Sequence, residues 1–273
     1  MSGVPVYSSI IESVQSVGGP PEYPRYSLLN IWLNTLTIDD IKSLIAWHIQ
    51  GDRKFVLANQ NFHGLYIANR DEKARKFFAS ADYTHIDGTS LIILGKLAGL
   101  PFRLEHRCGY MDLFPDLLPE IVANGWRVFY LGSKADVLER ALARLGASHP
   151  KLQIAGYHGF FEKTAGHPDN DQVIAKINEF RPNILFVGMG MPTQEHWIYD
   201  HLAAIDANAI LHCGGLMDYI AGEILTPPRW LGPIGLEWFF RLCTEPRRLW
   251  RRYLIEPFAI LPVIVKWLRR PPE

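Results

Sequence analysis

Residues 184–198 combine an apolar run, two glycines and a helix start in one short stretch. The run 184–187 has the length of a buried strand, Gly188 and Gly190 follow it, and Pro192 is typical of a first helical turn. Glycines at such a turn let a ligand approach the backbone, and the first N–H groups of a helix attract an anion such as phosphate. Any tight turn from a strand into a helix also favours glycine, so this second interpretation stays open.

Three polar side chains near predicted strand ends could take part in chemistry. Asp87 lies between a predicted strand and the next helix, where a carboxylate can accept a proton from an attacking hydroxyl group or can cap the helix. Gln194 can hydrogen-bond a sugar or a phosphate, or it can lie on a helix surface. Asp218 follows two glycines and can bind a ribose or sugar hydroxyl, or hold a turn. Both interpretations stay open for each residue.

Patterns typical of metal sites are weak in this sequence. His196 and His201 are five residues apart, which does not place them on one face of a helix. Asp169 and Asp171 form a D-x-D pattern, but it precedes a predicted helix, where an N-cap role is expected. The sequence has no G-x-S-x-G elbow, no P-loop and no G-x-G-x-x-G after an early strand. The missing glycine motif disfavours a dinucleotide-dependent oxidoreductase, which stays an alternative function.

Predicted strands alternate with predicted helices between residues 26 and 228, which indicates an α/β domain. Its sheet should be mostly parallel, with helices on both faces. The predicted strands are 28–33, 55–58, 83–86, 126–131, 152–155, 184–187 and 209–213. Predicted helices cover 37–49, where Thr37 and Asp40 suggest a capping box, then 62–79, a stretch from Thr89, 112–123, 136–145, 173–180 and 192–204. Ligands bind at the carboxyl ends of such strands, where the sequence places Asn59, Asn61, Asp87, Gly132, Gln194 and the run 214–218.

The composition is that of a cytoplasmic globular protein. The 273 residues are 48% hydrophobic, which is ample for a large core, and 28 basic side chains balance 28 acidic ones, so nucleic acid is not an expected partner. Three cysteines without framework spacing predict free thiols in a reducing compartment. The first residues lack a signal-peptide pattern, and no run of eighteen apolar residues predicts a transmembrane helix.

The character of the chain changes after residue 228. Residues 229–273 interleave tryptophan, phenylalanine and leucine with arginine, and residues 241–273 hold eight basic side chains against three acidic ones. We expect helices broken at Pro246, Pro257 and Pro262. Such a segment suits the interface of an anionic membrane, or it can form a helical lid on the core, and both can hold. The predicted organisation is a loose lead-in over 1–25, an α/β catalytic domain over 26–228 and a helical membrane-associating appendage over 229–273.

Six stretches together resemble the WecG/TagA/CpsF family of glycosyltransferases. They follow the order and spacing of the family, and they are Asp87-Gly88, 128–145, 149–161, 181–198, 214–222 and 235–254. The resemblance implies a Rossmann-like, inverting transferase that needs no metal and no other cofactor. Its donor would be a UDP-sugar and its acceptor a polyprenyl-diphosphate-linked saccharide, used in cell-surface polysaccharide synthesis at the inner face of the cell membrane. A non-catalytic, membrane-docked sensor of sugar nucleotides stays the second alternative.

The resemblance also implies roles for particular residues. Asp87 matches the catalytic base, Gln194 matches the pocket glutamine, and three arginines of the appendage match Arg241, Arg248 and Arg251. With the strand-end residues, the predicted substrate site holds Asn59, Asn61, Gly132, Gly188, Gly190, Gln194, Glu195, Asp218, Arg241, Arg248 and Arg251, and no metal ligand.

Three departures from the family pattern lie near this predicted site. Asn59-Gln60-Asn61 replaces a Thr-x-Asn sequence, and Thr226-Pro227-Pro228 replaces Arg-Ala-Pro. A loop arginine of the family is matched by His106 or Arg107. The donor sugar therefore stays open among N-acetylmannosamine, glucose and a uronic acid.

Overall fold

The computed structural model describes residues 21–269, so most of the predicted lead-in lies outside the described residues. Within this range the strands are β1 (Arg25–Leu28), β2 (Ile31–Asn34), β3 (Phe55–Gln60), β4 (Tyr83–Ile86), β5 (Arg127–Gly132), β6 (Gln153–Tyr157), β7 (Ile184–Gly188) and β8 (Ala209–His212). The helices are α1 (Ile38–Gln50), α2 (Phe62–Ala68), α3 (Glu72–Ser80), α4 (Thr89–Leu97), α5 (Tyr110–Asn124), α6 (Ala135–Ser148), α7 (Pro168–Phe180), α8 (Thr193–His201), α9 (Leu216–Ile220), α10 (Glu237–Thr244), α11 (Pro246–Leu254) and α12 (Glu256–Leu268).

Six of the strands form one parallel sheet in the order β4-β3-β8-β7-β5-β6. Strand β7 lies inside this sheet, and all five of its residues are buried, because helices cover both faces of a parallel sheet. The predicted α/β class is therefore confirmed. Strands β1 and β2 form a separate antiparallel hairpin next to β4, where the side-chain oxygen of Asn34 accepts the N–H of Thr84 at 2.9 Å.

Two apolar clusters fill the space between the sheet and its helices. One face of the sheet packs against α3, α7 and α8 through residues such as Phe77, Ile177 and Trp197. The opposite face packs against α1, α5 and α6 through residues such as Leu44 and Leu117. With both faces covered, the carboxyl edge of the sheet is where loops and polar side chains can assemble a site.

Two predicted elements near the amino terminus were wrong. The predicted strand 28–33 is a hairpin, because Leu29 and Asn30 adopt left-handed backbone angles, with φ of 52° and 65°, and reverse the chain. The predicted helix 62–79 is two helices, since Asp71 starts α3 by accepting the N–H of Ala74 at 2.8 Å. The capping box of Thr37 and Asp40 is confirmed.

The D-x-D pattern does not supply a helix cap. Helix α7 already starts at Pro168, so Asp169 and Asp171 lie in its first turn, and the N-cap is His167, whose ring nitrogen accepts the N–H of Asp169. The acidic pair still suits this position, because negative charge is favourable in the first turn of a helix. Asn170 between them is buried and accepts a hydrogen bond from the indole of Trp197 at 2.8 Å.

The C-terminal segment forms α10, α11 and α12, with interruptions at Glu245 and Ile255. Pro246 and Pro257 lie in first helical turns, where proline is tolerated. The predicted break at Pro262 is wrong, because α12 continues through this residue with Ile260 and Ile264 buried on either side of it.

The same segment also leaves a large apolar surface uncovered. Its exposed large apolar residues are Trp230, Ile234, Leu236, Trp238, Phe239, Trp250, Leu254, Ile255, Phe258, Leu261, Val263, Val265 and Leu268. None of the helices between residues 21 and 269 combines the length and the apolar content that crossing a bilayer requires.

Candidate active site

Asp87 follows β4 at the carboxyl edge of the sheet, and two neighbouring amides support its carboxylate. The side-chain nitrogens of Asn59 and Asn61 lie 3.4 and 3.3 Å from the same oxygen, Oδ2, and donate to it. Burial raises the pKa of the Asp87 carboxyl above its usual range, while the hydrogen bond from Asn61 and the positive charge of Arg107 oppose this rise. A half-buried carboxylate with a raised pKa can act as a general base.

Asn61 connects three elements at this edge. Its side-chain oxygen caps α2 by accepting the N–H of Gly64 at 3.0 Å, while its nitrogen donates to Asp87. The same oxygen also accepts a hydrogen bond from the guanidinium of Arg252 on α11 at 3.4 Å. The appendage therefore contacts the side chain that supports the candidate base.

Arginines form the opposite wall of the site. The charges of Arg241 on α10 and Arg252 on α11 both act on Asp87. The Nε atom of Arg241 is buried and has no hydrogen-bond partner among the described residues. Arg107 joins the loop before α5 to the appendage, because it donates to Asp112 at 2.7 Å and to Glu237 at 2.8 Å. Of His106 and Arg107, it is Arg107 whose charge acts on Asp87.

The other two arginines named from the sequence lie farther out. Arg248 is exposed and pairs with Glu245 through two hydrogen bonds of 2.6 and 2.7 Å, with its charge acting on Asp218. Arg251 is exposed, and its guanidinium lies 5.2 Å from the centre of the Trp250 ring. Sequence reasoning missed Arg252, although its spacing of three from the buried Leu249 indicates the face of α11 that meets the core.

Two of the glycines are required by packing inside the protein. A Cβ on Gly188 would lie 2.0 Å from the hydroxyl of Tyr130, and a Cβ on Gly132 would lie 2.2 Å from the carbonyl oxygen of Gly188. By contrast, Gly190 and Gly214 adopt left-handed angles, with φ of +81° and +57°, and a Cβ on either would meet no atom within 4 Å. These last two turns border the open part of the site.

Gln194 organises these two turns instead of facing outward. Its side-chain oxygen accepts the N–H groups of Gly190 and Gly214, both at 3.2 Å, and its side chain is buried. Its nitrogen donates to Glu195 at 2.9 Å. The amide of Gly190 is therefore already occupied by a protein acceptor, and the position of Gln194 is held from within the core.

Glu195 and His212 form a buried pair that sequence reasoning did not combine. Glu195 Oε1 lies 2.8 Å from His212 Nδ1, and the two side chains are 1% and 0% exposed. Glu195 was predicted to line the substrate site. His212, at the end of β8, was not predicted as a site residue, because the sequence around it indicates only a buried strand. Strand register brings it beneath Asn59, whose N–H donates to His212 Nε2 at 2.8 Å.

Asp218 starts the far side of the site, at the first turn of α9. Its Oδ2 accepts a hydrogen bond from the hydroxyl of Ser133 at 3.2 Å. Burial raises the pKa of the Asp218 carboxyl, while the Ser133 hydroxyl and the charge of Arg248 oppose the rise. The Asp218 carboxylate therefore lies among the turns that follow β5 and β8, away from Asn59 and Asn61.

No group of three His, Cys, Asp or Glu side chains converges on a common point within residues 21–269.

Comparisons with known proteins give a matching family and several relatives of this chain. The profile of the glycosyl transferase WecG/TagA/CpsF family matches residues 26–273. The N-acetylglucosaminyldiphosphoundecaprenol N-acetyl-beta-D-mannosaminyltransferase of Bacillus subtilis is 28% identical over 77% of this chain and 78% of its own. The enzymes of the same name from Bacillus spizizenii and Staphylococcus aureus are 30% and 26% identical, over 73% and 72% of this chain and 74% and 79% of their own.

Proposed function

Because the chain belongs to the WecG/TagA/CpsF family of glycosyl transferases, we propose that it moves a sugar from a UDP-sugar to a polyprenyl-diphosphate-linked saccharide. Its relatives are named for transfer onto an undecaprenyl-diphosphate-linked N-acetylglucosamine. The observation that carries the proposal is the partly buried Asp87 carboxylate, which two asparagine amides support and arginines of the appendage face.

The reaction is a single displacement at the anomeric carbon of the donor sugar. Asp87 accepts the proton of the acceptor hydroxyl while the hydroxyl oxygen forms the new glycosidic bond. The bond from the anomeric carbon to the diphosphate breaks at the same time, UDP leaves with the electron pair, and the configuration inverts. The proton stays on Asp87 until it passes to solvent.

The leaving diphosphate needs positive charge, and we assign this role to arginines rather than to a metal ion or another cofactor. Arg241 and Arg252 face Asp87 from the appendage, and a guanidinium can bind phosphate through two parallel hydrogen bonds. The Nε of Arg241, which has no hydrogen-bond partner within residues 21–269, is one such donor. Arg248, Arg251 and the turn at Gly190 are further candidates for contacts with the donor, with Asp218 and Ser133 near its hydroxyl groups.

We further propose that the protein works as a peripheral protein on the inner face of the cell membrane. The acceptor carries a lipid, so the site must approach a bilayer. Exposed apolar residues of α10, α11 and α12 lie in the same segment as the exposed Arg247, Arg248 and Arg251 of α11, and this composition suits the interface of an anionic membrane.

The test is acceptor-dependent release of UDP. Wild type, Asp87→Asn and the control Asp39→Asn would be assayed with UDP-N-acetylmannosamine, UDP-glucose and UDP-glucuronic acid, using polyprenyl-diphosphate-linked N-acetylglucosamine in lipid vesicles. Asp39 is an exposed residue of α1. We expect one donor to support release in wild type and the control but not in Asp87→Asn. Equal release in all three proteins would refute the role of Asp87.

If no donor supports release in wild type, binding of each UDP-sugar would be measured by calorimetry. Binding without turnover would favour a sensor of sugar nucleotides over an enzyme. Inversion would be checked separately, by the anomeric coupling constant of the product in NMR spectra.

A further inference from the structure

The parallel pairing between β3 and β8 ends at a histidine side chain. The register of backbone partners stops at Leu57 and Leu211. Two residues later, the N–H of Asn59 donates to Nε2 of His212 at 2.8 Å, where a parallel ladder would offer a backbone carbonyl. The imidazole thus holds the backbone of β3 at the residue whose side chain donates to Asp87.

The proton positions on this imidazole follow from its hydrogen-bond partners. A backbone N–H can only donate, so Nε2 of His212 must accept and carries no proton. The proton of a neutral ring then lies on Nδ1, which is 2.8 Å from Glu195 Oε1 and 2.9 Å from Gln194 Nε2. The amide nitrogen of Gln194 can only donate, and it donates to the same carboxylate oxygen at 2.9 Å, so Glu195 Oε1 is the acceptor beside the Nδ1 proton. Asn59 therefore sets the tautomer of the ring, and Glu195 holds the protonated side of it.

The result is a continuous chain of close polar contacts that ends at the candidate base. It leads from Glu195 through the ring of His212 and the backbone of Asn59 to Oδ2 of Asp87. The first three residues are buried, with exposed fractions of 1%, 0% and 4%. In such a dry environment a hydrogen bond fixes geometry strongly, and losing one partner leaves a costly unpaired group.

We propose that His212 and Glu195 are positioning residues for the transfer reaction. They act through Asn59, which they hold so that its amide donates to the ionised form of Asp87. The inference rests on the proposed role of Asp87 as the general base. A hydrogen bond to the charged carboxylate stabilises that form, so losing the bond raises the pH at which Asp87 becomes ionised.

The other titratable or charged groups around this chain are held by different elements. Those facing Asp87 are Arg107, Cys108, Tyr110, Glu237, Arg241 and Arg252. His85 on β4 faces His212. None of them bonds to His212, so their charges stay in place when only its imidazole is replaced, and a change in the pH profile then reports on Asn59.

The test compares His212→Phe with His212→Gln. Phenylalanine keeps the packing against Phe77 and Phe78 but loses both hydrogen bonds, whereas glutamine can accept from Asn59 and donate to Glu195. We expect His212→Phe to lower kcat by roughly 10–100-fold, the scale of a misplacement of about 1 Å, and to move the acid limb of the kcat profile to higher pH. The KM of the UDP-sugar should stay within about twofold, since no donor contact is removed, and His212→Gln should restore kcat and the profile.

His48→Phe is the matched control, because His48 is also buried and stacks on Phe55 at the other end of β3. It should change thermal stability and leave the acid limb in place. An acid limb that is equally unmoved in His212→Phe, or a His212→Gln variant that restores nothing, would overturn the inference. If transfer is lost in Asp87→Asn but unaffected in His212→Phe, the positioning role fails while the proposed function stands.

A measurement on the wild-type protein covers the case in which His212→Phe does not fold. Nitrogen-15 NMR of the histidine rings should show Nδ1 of His212 protonated and Nε2 unprotonated. A proton on Nε2 would contradict the hydrogen bond from Asn59 and overturn the inference, regardless of how the variants behave.

Discussion

The guanidinium of Arg252 lies 3.4 Å from the side-chain oxygen of Asn61, whose nitrogen donates to Asp87 at 3.3 Å. One asparagine thus separates a positive charge of the appendage from the candidate base of the α/β core. Helix α12 also holds the appendage against the core, because Glu256 contacts His63 of α2 at 2.6 Å. The appendage therefore supplies part of the site wall in addition to its exposed apolar surface.

Replacing Arg252 by alanine should slow transfer strongly. A donor that stabilises developing charge on a leaving group contributes about 2.7–4 kcal/mol to the barrier, so kcat should fall by about 10²–10³-fold. Arg247→Ala is the matched control, since Arg247 is an exposed arginine on the same helix. Turnover would be measured by UDP release and UDP affinity by calorimetry. Equal turnover in the two variants would exclude Arg252 from the site.

Asp87→Asn should stabilise the folded protein at neutral pH. Burial raises the pKa of Asp87, so the folded chain binds its proton more tightly than the unfolded chain. Stability is then lost as the pH rises from the ordinary aspartate pKa through the raised one, and the neutral amide avoids this loss. The melting temperature should rise by about 2–4 °C for each 1 kcal/mol recovered. The gain should vanish below the ordinary aspartate pKa, and a gain that persists there would have another cause.

The same raised pKa sets the acid limb of activity. A general base works only when ionised, so kcat should fall with decreasing pH at values above those typical of an exposed aspartate. Profiles would be measured between about pH 4 and 8 at saturating donor. Asp218→Asn is the comparison, because burial also raises the pKa of the half-buried Asp218 carboxyl, which lies away from the two asparagines. If the acid limb moves in Asp218→Asn, the titration belongs to Asp218 and the assignment to Asp87 is wrong.

The sequence predicts the sheet better than it predicts the site. Apolar runs such as 184–187 are fully buried and form strands, and β7 extends beyond its predicted bounds by only one residue. The hairpin was missed because its turn contains Leu29 and Asn30 rather than glycine or proline, and asparagine tolerates left-handed angles without any strong signal.

The features of the site that the sequence does not predict are contacts between residues far apart in the chain. Asp87, Asn59 and Asn61 can be assigned to one edge, because they lie at the carboxyl ends of neighbouring strands. The pairing of Asn59 with His212 joins residues 153 positions apart and depends on the register between β3 and β8. Gln194 likewise turns inward because two glycine amides need an acceptor, which no local pattern reveals.

Glycine-to-alanine variants should distinguish, by their stability, a glycine that close packing requires from one that it does not. Gly188→Ala places a Cβ 2.0 Å from the Tyr130 hydroxyl and 2.3 Å from the Gly214 carbonyl, and such overpacking costs about 1–3 kcal/mol. Gly146 is an exposed residue of α6 with no atom within 4 Å of its Cβ position, so Gly146→Ala should stabilise the protein by about 0.5–1 kcal/mol. Urea unfolding would measure both, and a Gly188→Ala protein as stable as wild type would assign that glycine to ligand approach instead.

Membrane binding should depend on the exposed aromatic residues of the appendage. Phe258 is 74% exposed on α12, and burial of a phenylalanine side chain is worth about 1.5–3 kcal/mol, so Phe258→Ser should weaken vesicle binding by about tenfold or more. Trp32→Ser is the control, because Trp32 is half exposed on the β1–β2 hairpin at the edge of the core. Sedimentation with anionic vesicles would be measured at low and high salt, and added salt should weaken binding of both proteins by screening the arginines. Equal binding of the two variants at low salt would show that the appendage does not contact the bilayer, and the apolar surface of α12 would then have to serve another partner.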